Sequence, residues 1–261
     1  MLAVRARINQ HGVAVLGEAR RKHALSLGAE LLLADATGGA PLEAVFRASV
    51  TLALQSDLEV SMKRMDPSKA LAELDKGSVD AVVIDSVFAA NRNVVPLACE
   101  ALALYVSSAN PGAALTKKQV GEILRSPRPS WVEYNRINLD IQRIMMKPLS
   151  PSGTLVRRIF GNDAAAEEIF KVDSFSSGFT FINTASIFFA QYIPQAPVEV
   201  KCLPIGGVLP TSADIISGKY PLSVRYVIAY KENSARLQLL LKELKKDKYR
   251  TQMANSGLIV L

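Results

Sequence analysis

Between residues 30 and 85 the chain alternates short apolar runs with amphipathic ones, and this alternation constrains the fold more than any other feature. "ELLLAD" reads as a strand, and "ATGGAPLEAVFRASVTLAL" passes through a Gly-Gly turn into a helix, with Pro41 suited to a first helical position that needs no backbone N–H. "DLEVSMKRM" alternates with the two-residue period of a strand. "DPSKALAELDKGS" predicts a helix with Asp66 as N-cap, Pro67 beside it and Gly77 as its stop. "VDAVVID" is an apolar run of the kind that strands show when both faces are buried. Strand, helix, strand, helix, strand predicts a parallel sheet, because parallel neighbours need a crossing element, and that crossing is right-handed.

The second half carries similar units. "EALALYVSSANP" (100–111) reads as a strand, and "LTKKQVGEIL" as a helix capped by Thr116. A Pro-rich turn follows with Trp131, which reads as a packing anchor. Beyond "DIQRIMMKP" come a short helix opened by Ser-Gly-Thr, a second helix near "DAAAEEIFKV" and a strand-like "GFTFIN". The turn "PIGGVLPTSADIISGKYP" leads into a clear strand, "LSVRYVIAYK". "SARLQLLLKELKKDKYRTQMA" reads as one closing helix with Leu237, Leu240, Leu241 and Leu244 on one side, and its "KELKKDKY" stretch as a solvated face. Residues 15–28 form a basic stretch with helical character. A chain of 261 residues with a strand–loop–helix unit in both halves predicts a two-lobed binder.

Composition narrows the chemistry. A net charge of +7 favours an anionic partner without choosing among phosphate, nucleic acid and membrane surface. The nucleic-acid option has no motif, since the basic run lacks interleaved aromatics. Only two histidines, His11 and His23, are present, which leaves a Ser-His-Asp triad or a His-rich metal site poorly supplied. Cys99 and Cys202 fit no metal-ligand spacing and read as buried thiols, with a bridge between them as the alternative. No run approaches the ~18 apolar residues of a bilayer span. The "GVAVLG" core is too short for a secretory signal peptide. No catalytic residue, cofactor or metal is expected.

Three places can meet an anion. In "PLSPSGTLVRRIFG" (148–161), Ser152, Gly153 and Thr154 open a helix whose backbone N–H groups and hydroxyls suit an anion, unless Ser152 merely caps it. Leu155, Val156, Ile159 and Phe160 form its apolar face, and Gly161 stops it. Arg157 and Arg158 fall near the start of this helix on this reading, where the macrodipole disfavours cations, so they call for a negative partner. "DATGGAP" places Thr37 and Gly38 where glycines after a strand bring amides to a ligand, or simply relieve a turn. Asp85, with Ser86 beside it, ends an apolar strand where parallel sheets gather ligands, and can accept a hydrogen bond from a protonated anion or cap a helix.

In this order the parts resemble the phosphate-binding proteins of ABC importers, within the type II periplasmic binding protein fold, over roughly residues 30 to 261. "VKCLPIGGVLPTSADIISGKYPLSVRYVIAYK" resembles that family's segment returning from the second lobe to the first. "ALTKKQVGEIL" followed by "SW" resembles its second-lobe entry helix, "SPSGT" its phosphate loop, and "ANSGLIVL" its C-terminal pattern.

The resemblance implies two α/β lobes, each a mostly parallel sheet flanked by helices, joined by two crossing strands. Lobe 1 is 30–102 plus 223–261, lobe 2 is 103–222, and 1–29 is a basic N-terminal segment. It also implies phosphate held by Thr37, Gly38, Ser68 and Asp85 from lobe 1, and by Ser152, Gly153 and Thr154 from lobe 2, and Ser86 beside Asp85 joins them as a candidate ligand residue. Where the family carries an arginine four residues before the loop serine this chain has Pro148, and the adjacent Lys147 replaces the charge. Asp66 and Pro67 stand in a second loop that is normally rich in glycine and serine. The implied protein is monomeric, works with an ABC permease and lies in the periplasm or at the cell surface, with the cytoplasm as the alternative because no signal peptide is visible. A homologue that lost tight phosphate binding and serves as a sensor or interaction module is the rival reading.

Overall fold

The computed structural model describes residues 7–8, 14–15, 30–35, 44–45, 47–49, 51, 59–112, 114–135, 138–148, 150–161 and 168–261. The chain forms two compact units, one made of residues 1–98 and 225–261 and the other of residues 99–224. Strands β1 (Arg7–Ile8) and β2 (Ala14–Val15) pair as a small antiparallel ladder. Then come β3 (Glu30–Asp35), β4 (Glu59–Arg64), helix α1 (Pro67–Lys76), β5 (Ala81–Asp85) and the long β6 (Asn93–Ser107), which carries the chain from the first unit into the second. The second unit continues with α2 (Lys117–Arg125), α3 (Val132–Asn135), β7 (Gln142–Met146), α4 (Pro151–Phe160), β8 (Phe170–Val172), α5 (Phe175–Thr180), β9 (Ser186–Gln191), β10 (Val200–Cys202) and α6 (Ser212–Ile216). Strand β11 (Ser223–Tyr230) returns the chain to the first unit, which closes with α7 (Ala235–Leu244), α8 (Asp247–Asn255) and β12 (Ile259–Val260).

In the first unit β3 lies between β4 and β5 and is parallel to both, with Asp35 opposite Arg64 on one side and Val83 on the other. The apolar faces explain the packing. Ala34, Val82 and Ile84 meet Ala70 and Leu74 of α1, together with Val227 and Ala229 of β11. Helix α1 starts at Pro67 and ends at Gly77, whose φ of 80° lies in the left-handed region that glycine adopts without strain. In the second unit β7 lies between β8 and β9, again parallel to both, while β9 and β10 run antiparallel to β6. The core here is aromatic: Tyr105 and Phe179 meet edge to face at 5.2 Å, and Phe179 and Phe188 at 5.5 Å. Thr116 and Gln119 close a capping box on α2. Trp131 is buried and donates from Nε1 to the Ala185 carbonyl at 2.9 Å, as a packing anchor should.

Several elements differ from the sequence expectation. "GFTFIN" is not a strand: Ser174 caps α5, and Phe175 and Phe179, one turn apart, both pack on the Phe188 side. The central strand "SIFFAQ" follows instead, buried along its whole length. Of the helix expected near "DAAAEEIFKV", residues 163–167 lie outside the described residues, and Phe170–Val172 is strand β8. The helix expected over 15–28 lies outside the described residues, apart from Val15 in β2.

The closing helix is two helices. A straight continuation would place Lys248 one turn below Leu244 on the apolar face. The chain extends at Lys246, with ψ of 141°, and resumes with Tyr249 and Met253 turned inward. The "KELKKDKY" stretch is therefore not wholly solvated. Glu243 is buried, and Lys246 and Lys248 pair with it at 2.5 and 3.3 Å. Burial acts to raise its carboxyl pKa, but the bonds to the two lysines outweigh this and hold it below its ordinary value of 4.5.

Two outcomes follow from this packing. A Cβ on Gly178 would sit 2.2 Å from Cζ of Phe188, so Gly178→Ala is expected to lower unfolding free energy by about 1–3 kcal/mol in urea titration. Because the Glu243 pKa is depressed in the folded state, its contribution is present above pH 4.5 and is lost as pH falls through the folded value. Wild type should therefore exceed E243Q in stability at neutral pH, and the gap should close on acidification below that point.

Candidate anion-binding edges

A parallel strand delivers its following loop to the carboxyl edge of the sheet, and both units use this edge for polar residues. In the first unit, the register of β3 with β4 and β5 brings the chain segments after Arg64 and after Asp85 out at one edge. Ser68 is exposed in the first turn of α1. Asp66 occupies the N-cap position by its backbone, but its side chain makes no capping bond. It therefore does not compete for the Ser68 amide in the way that a capping aspartate would.

Asp85 caps the short 3₁₀ turn Ser86–Phe88, its Oδ1 accepting from the Val87 amide at 3.2 Å. This is the cap alternative raised by the sequence. It is compatible with a ligand role, since a carboxylate accepts several hydrogen bonds. Ser86 is half-buried beside it. Thr37 and Gly38 lie outside the described residues.

In the second unit, β7, β8 and β9 end at one edge, followed by Lys147, Asp173 and Tyr192. Helix α4 rises from this edge, and its local chemistry differs from the sequence expectation. Its N-cap is Ser150 and not Ser152: Pro151 takes the first helical position, and Ser150 Oγ accepts from the Gly153 amide at 3.1 Å. The Thr154 amide closes the first turn on the Ser150 carbonyl at 2.9 Å. Ser152 is 1% exposed, and its hydroxyl accepts from the Gln191 amide of β9 at 2.8 Å. Among the described residues, the Ser152 amide and the hydroxyl hydrogens of Ser152 and Thr154 remain without an acceptor at the helix start, Ser152 being buried. Gly153 is explained by close approach to its own loop, because a Cβ there would lie 2.5 Å from the Lys147 carbonyl.

The cations at this edge are also redistributed. The side chain of Lys147 pairs with Asp173 at 2.5 Å. Arg157 and Arg158 are in the last turn of α4 and not near its start, so their backbone positions lie toward the negative end of the macrodipole. Arg158 reaches the buried Glu100 of β6 at 3.5 Å, and Glu100 also accepts from Gln191 Nε2 at 3.1 Å. The negative group that faces one of the paired arginines is thus the protein's own carboxylate. Arg157 donates a long hydrogen bond of 3.4 Å to Thr154 Oγ1.

Pro151 signals the true cap, since a serine directly before a proline at the first helical position is the better candidate. Asp173 gave no such signal, being brought to Lys147 only by parallel pairing of β7 with β8. Cys99 and Cys202 are free thiols, and burial pushes the Cys202 thiol up to about 11. Among the described residues no cluster of His, Cys, Asp and Glu could hold a metal ion, and no helix is long and apolar enough to cross a membrane.

Two α/β units, each with a central strand parallel to both its neighbours and antiparallel strands beside them, between which the chain passes on β6 and again on β11, define the type II periplasmic binding protein fold. Solved structures agree over most of their length. An ABC-type phosphate transport receptor from Vibrio cholerae matches with a TM-score of 0.64 at 21% identity, covering 88% of this chain and 99% of that one. PstS from Borrelia burgdorferi matches with a TM-score of 0.68 at 13% identity, covering 88% and 98%. A protein from Planctomyces limnophilus DSM 3776, described as a possible phosphate binding protein, matches with a TM-score of 0.70 at 17% identity, covering 89% and 93%. At these identities the likeness is one of fold. No family model and no curated protein matches the sequence.

One structural role at this edge can be checked directly. Ser152→Ala removes the acceptor of a buried backbone amide, so it is expected to cost about 1–3 kcal/mol of unfolding free energy in urea titration, with or without an anion present.

Proposed function

We propose that this chain is the solute-binding component of an ABC-type importer and that it captures phosphate, or a closely similar oxyanion, with the carboxyl-edge loops of its two units. The observation that carries this reading is the likeness in fold, over nearly the whole length of each, to proteins whose names state phosphate transport or phosphate binding. The +7 net charge supports it. Helix N-termini and hydroxyls would replace the water around the anion, with no covalent chemistry. Closure of the units by a hinge would present the loaded form to a permease. Asp85 would select a species that still carries a proton, with Ser68 and Ser86 beside it and Thr37 and Gly38 completing the first unit's loop. Thr154 and the Ser152 amide would serve from the second. A monomer in the periplasm or at the cell surface, with no nucleic-acid partner, belongs to the same reading.

A second reading has its own support. Lys147 pairs with Asp173, the Gly153 amide donates to Ser150 Oγ, and the Ser152 hydroxyl is buried where it accepts from the Gln191 amide. A homologue that kept the fold and lost tight phosphate binding would show this pattern and would act as a sensor or interaction module.

Isothermal titration of phosphate-stripped protein separates the two. The importer reading expects saturable phosphate binding, no sulfate binding, and an affinity at least about tenfold weaker in D85N, as suits loss of one hydrogen bond to a charged group. Absence of heat with either anion would overturn it in favour of the second reading.

A further inference from the structure

We propose that the second unit carries a separate site for a small zwitterion with an aromatic ring, in a cavity at the edge where its parallel strands begin. This site does not depend on the oxyanion reading above. The cavity holds about 560 Å³, within the range of small-molecule sites. It is lined by Gln142 and Phe170, the first residues of β7 and β8, and by Asn183, which stands just before β9. These three strands are parallel, so the cavity lies at the end of the sheet opposite to Lys147, Asp173 and Tyr192. The two edges share no residue.

The walls suit a ring. Phe170 and Phe181 both line the cavity and meet edge to face at 4.9 Å, yet they stay 50% and 51% exposed. A third ring can pack on such a pair in the offset or edge-on arrangement that aromatic groups prefer. The buried Pro129 and Ile141 add to the apolar lining. This wall is already fixed. Arg143 is buried, and its guanidinium donates to the carbonyls of Ile123 at 3.0 Å and Leu124 at 3.1 Å, near the end of α2, and of Pro127 at 3.3 Å. These bonds hold the turn after α2 against β7, so little ordering is left for a ligand to impose.

The charges narrow the ligand class. Burial acts against the charge of Arg143, and Glu168, which also lines the cavity, partly offsets this. Arg128 and Asp140 are exposed in the same lining, and neither has an ion-pair partner among the described residues. A guanidinium and a carboxylate thus stand open beside an aromatic pair. A simple anion would meet Asp140 unfavourably, and a simple cation Arg128. A zwitterion answers both, its carboxylate toward Arg128, its ammonium toward Asp140 and its ring on Phe170 and Phe181.

The test is isothermal titration with L-phenylalanine, with phenylalaninamide, which lacks the carboxylate, and with 3-phenylpropionate, which lacks the amine. Wild type, F181A, R128Q and D140N are compared, each with its thermal midpoint measured. Wild type is expected to bind phenylalanine saturably, F181A about tenfold more weakly, and R128Q and D140N each about two- to fivefold more weakly, as suits exposed ion pairs. R128Q should leave the affinity for phenylalaninamide unchanged, and D140N that for phenylpropionate, because each ligand lacks the group that the altered residue would meet. No saturable phenylalanine binding by wild type would overturn the proposal. So would wild-type affinity in all three variants, which would put the ligand elsewhere. Equal losses for all three ligands in R128Q and D140N would overturn the zwitterionic class. If F181A loses its thermal transition, R128Q and D140N decide by the same comparison of ligands, since both alter exposed residues.

Discussion

Parallel pairing around one central strand in each unit is the constraint on which everything else rests. β3 is parallel to both its neighbours, and so is β7. Loops after parallel strands leave from one edge, so Ser68, Asp85 and Ser86 gather on one unit, and Lys147, Ser152, Thr154 and Asp173 on the other. Burial enforces the register. A slip of one residue in β9, buried throughout, or in β5, buried over its first four residues, would turn each side chain to the opposite face and misplace the residue that follows the strand.

At the second of these edges the physics is a matter of which charges are already answered. The net charge of +7 says that cations exceed anions, but not where the excess sits. Around α4 the protein uses its own carboxylates, Asp173 and Glu100, to neutralise two of three nearby cations. The buried Glu100–Gln191–Ser152 connections tie the helix to β6 and β9. Removing one member of such a network leaves a buried polar group without its partner, which costs more than the bond itself returns. The helix start is therefore rigidly placed, and few of its donors remain for a ligand.

The elements of the first unit were legible because each carried its own local signal: alternation in "EVSMKR", Pro67 and Gly77 bracketing α1, and the continuous apolar run of β5. In the second unit local signals misled where tertiary packing overrode them. "GFTFIN" has the aromatic and β-branched content of a strand, yet Gly178 lets α5 lie flat against Phe188. "KELKKDKY" looks like a solvated face, yet it breaks so that Glu243 can stay buried between two lysines while Tyr249 turns inward. At the site, Asp85 at the end of its strand followed from the apolar run before it, whereas the cap at Ser150 was passed over for the more conspicuous Ser-Gly-Thr.

The sequence by itself determined the alternation of strands and helices, the Thr116 cap of α2, the burial of Trp131 and the cationic excess, because each depends on residues within a few positions of one another or on a simple count. Only the tertiary structure decided the fate of individual polar groups. Lys147 and Asp173 are 26 residues apart, as are no two members of a local motif, and Glu100 and Arg158 lie on different elements altogether. Ion pairing depends on distance in space, which strand order and register set and which sequence separation does not reveal. That is why two adjacent arginines, alike in the sequence, have different partners in the folded chain.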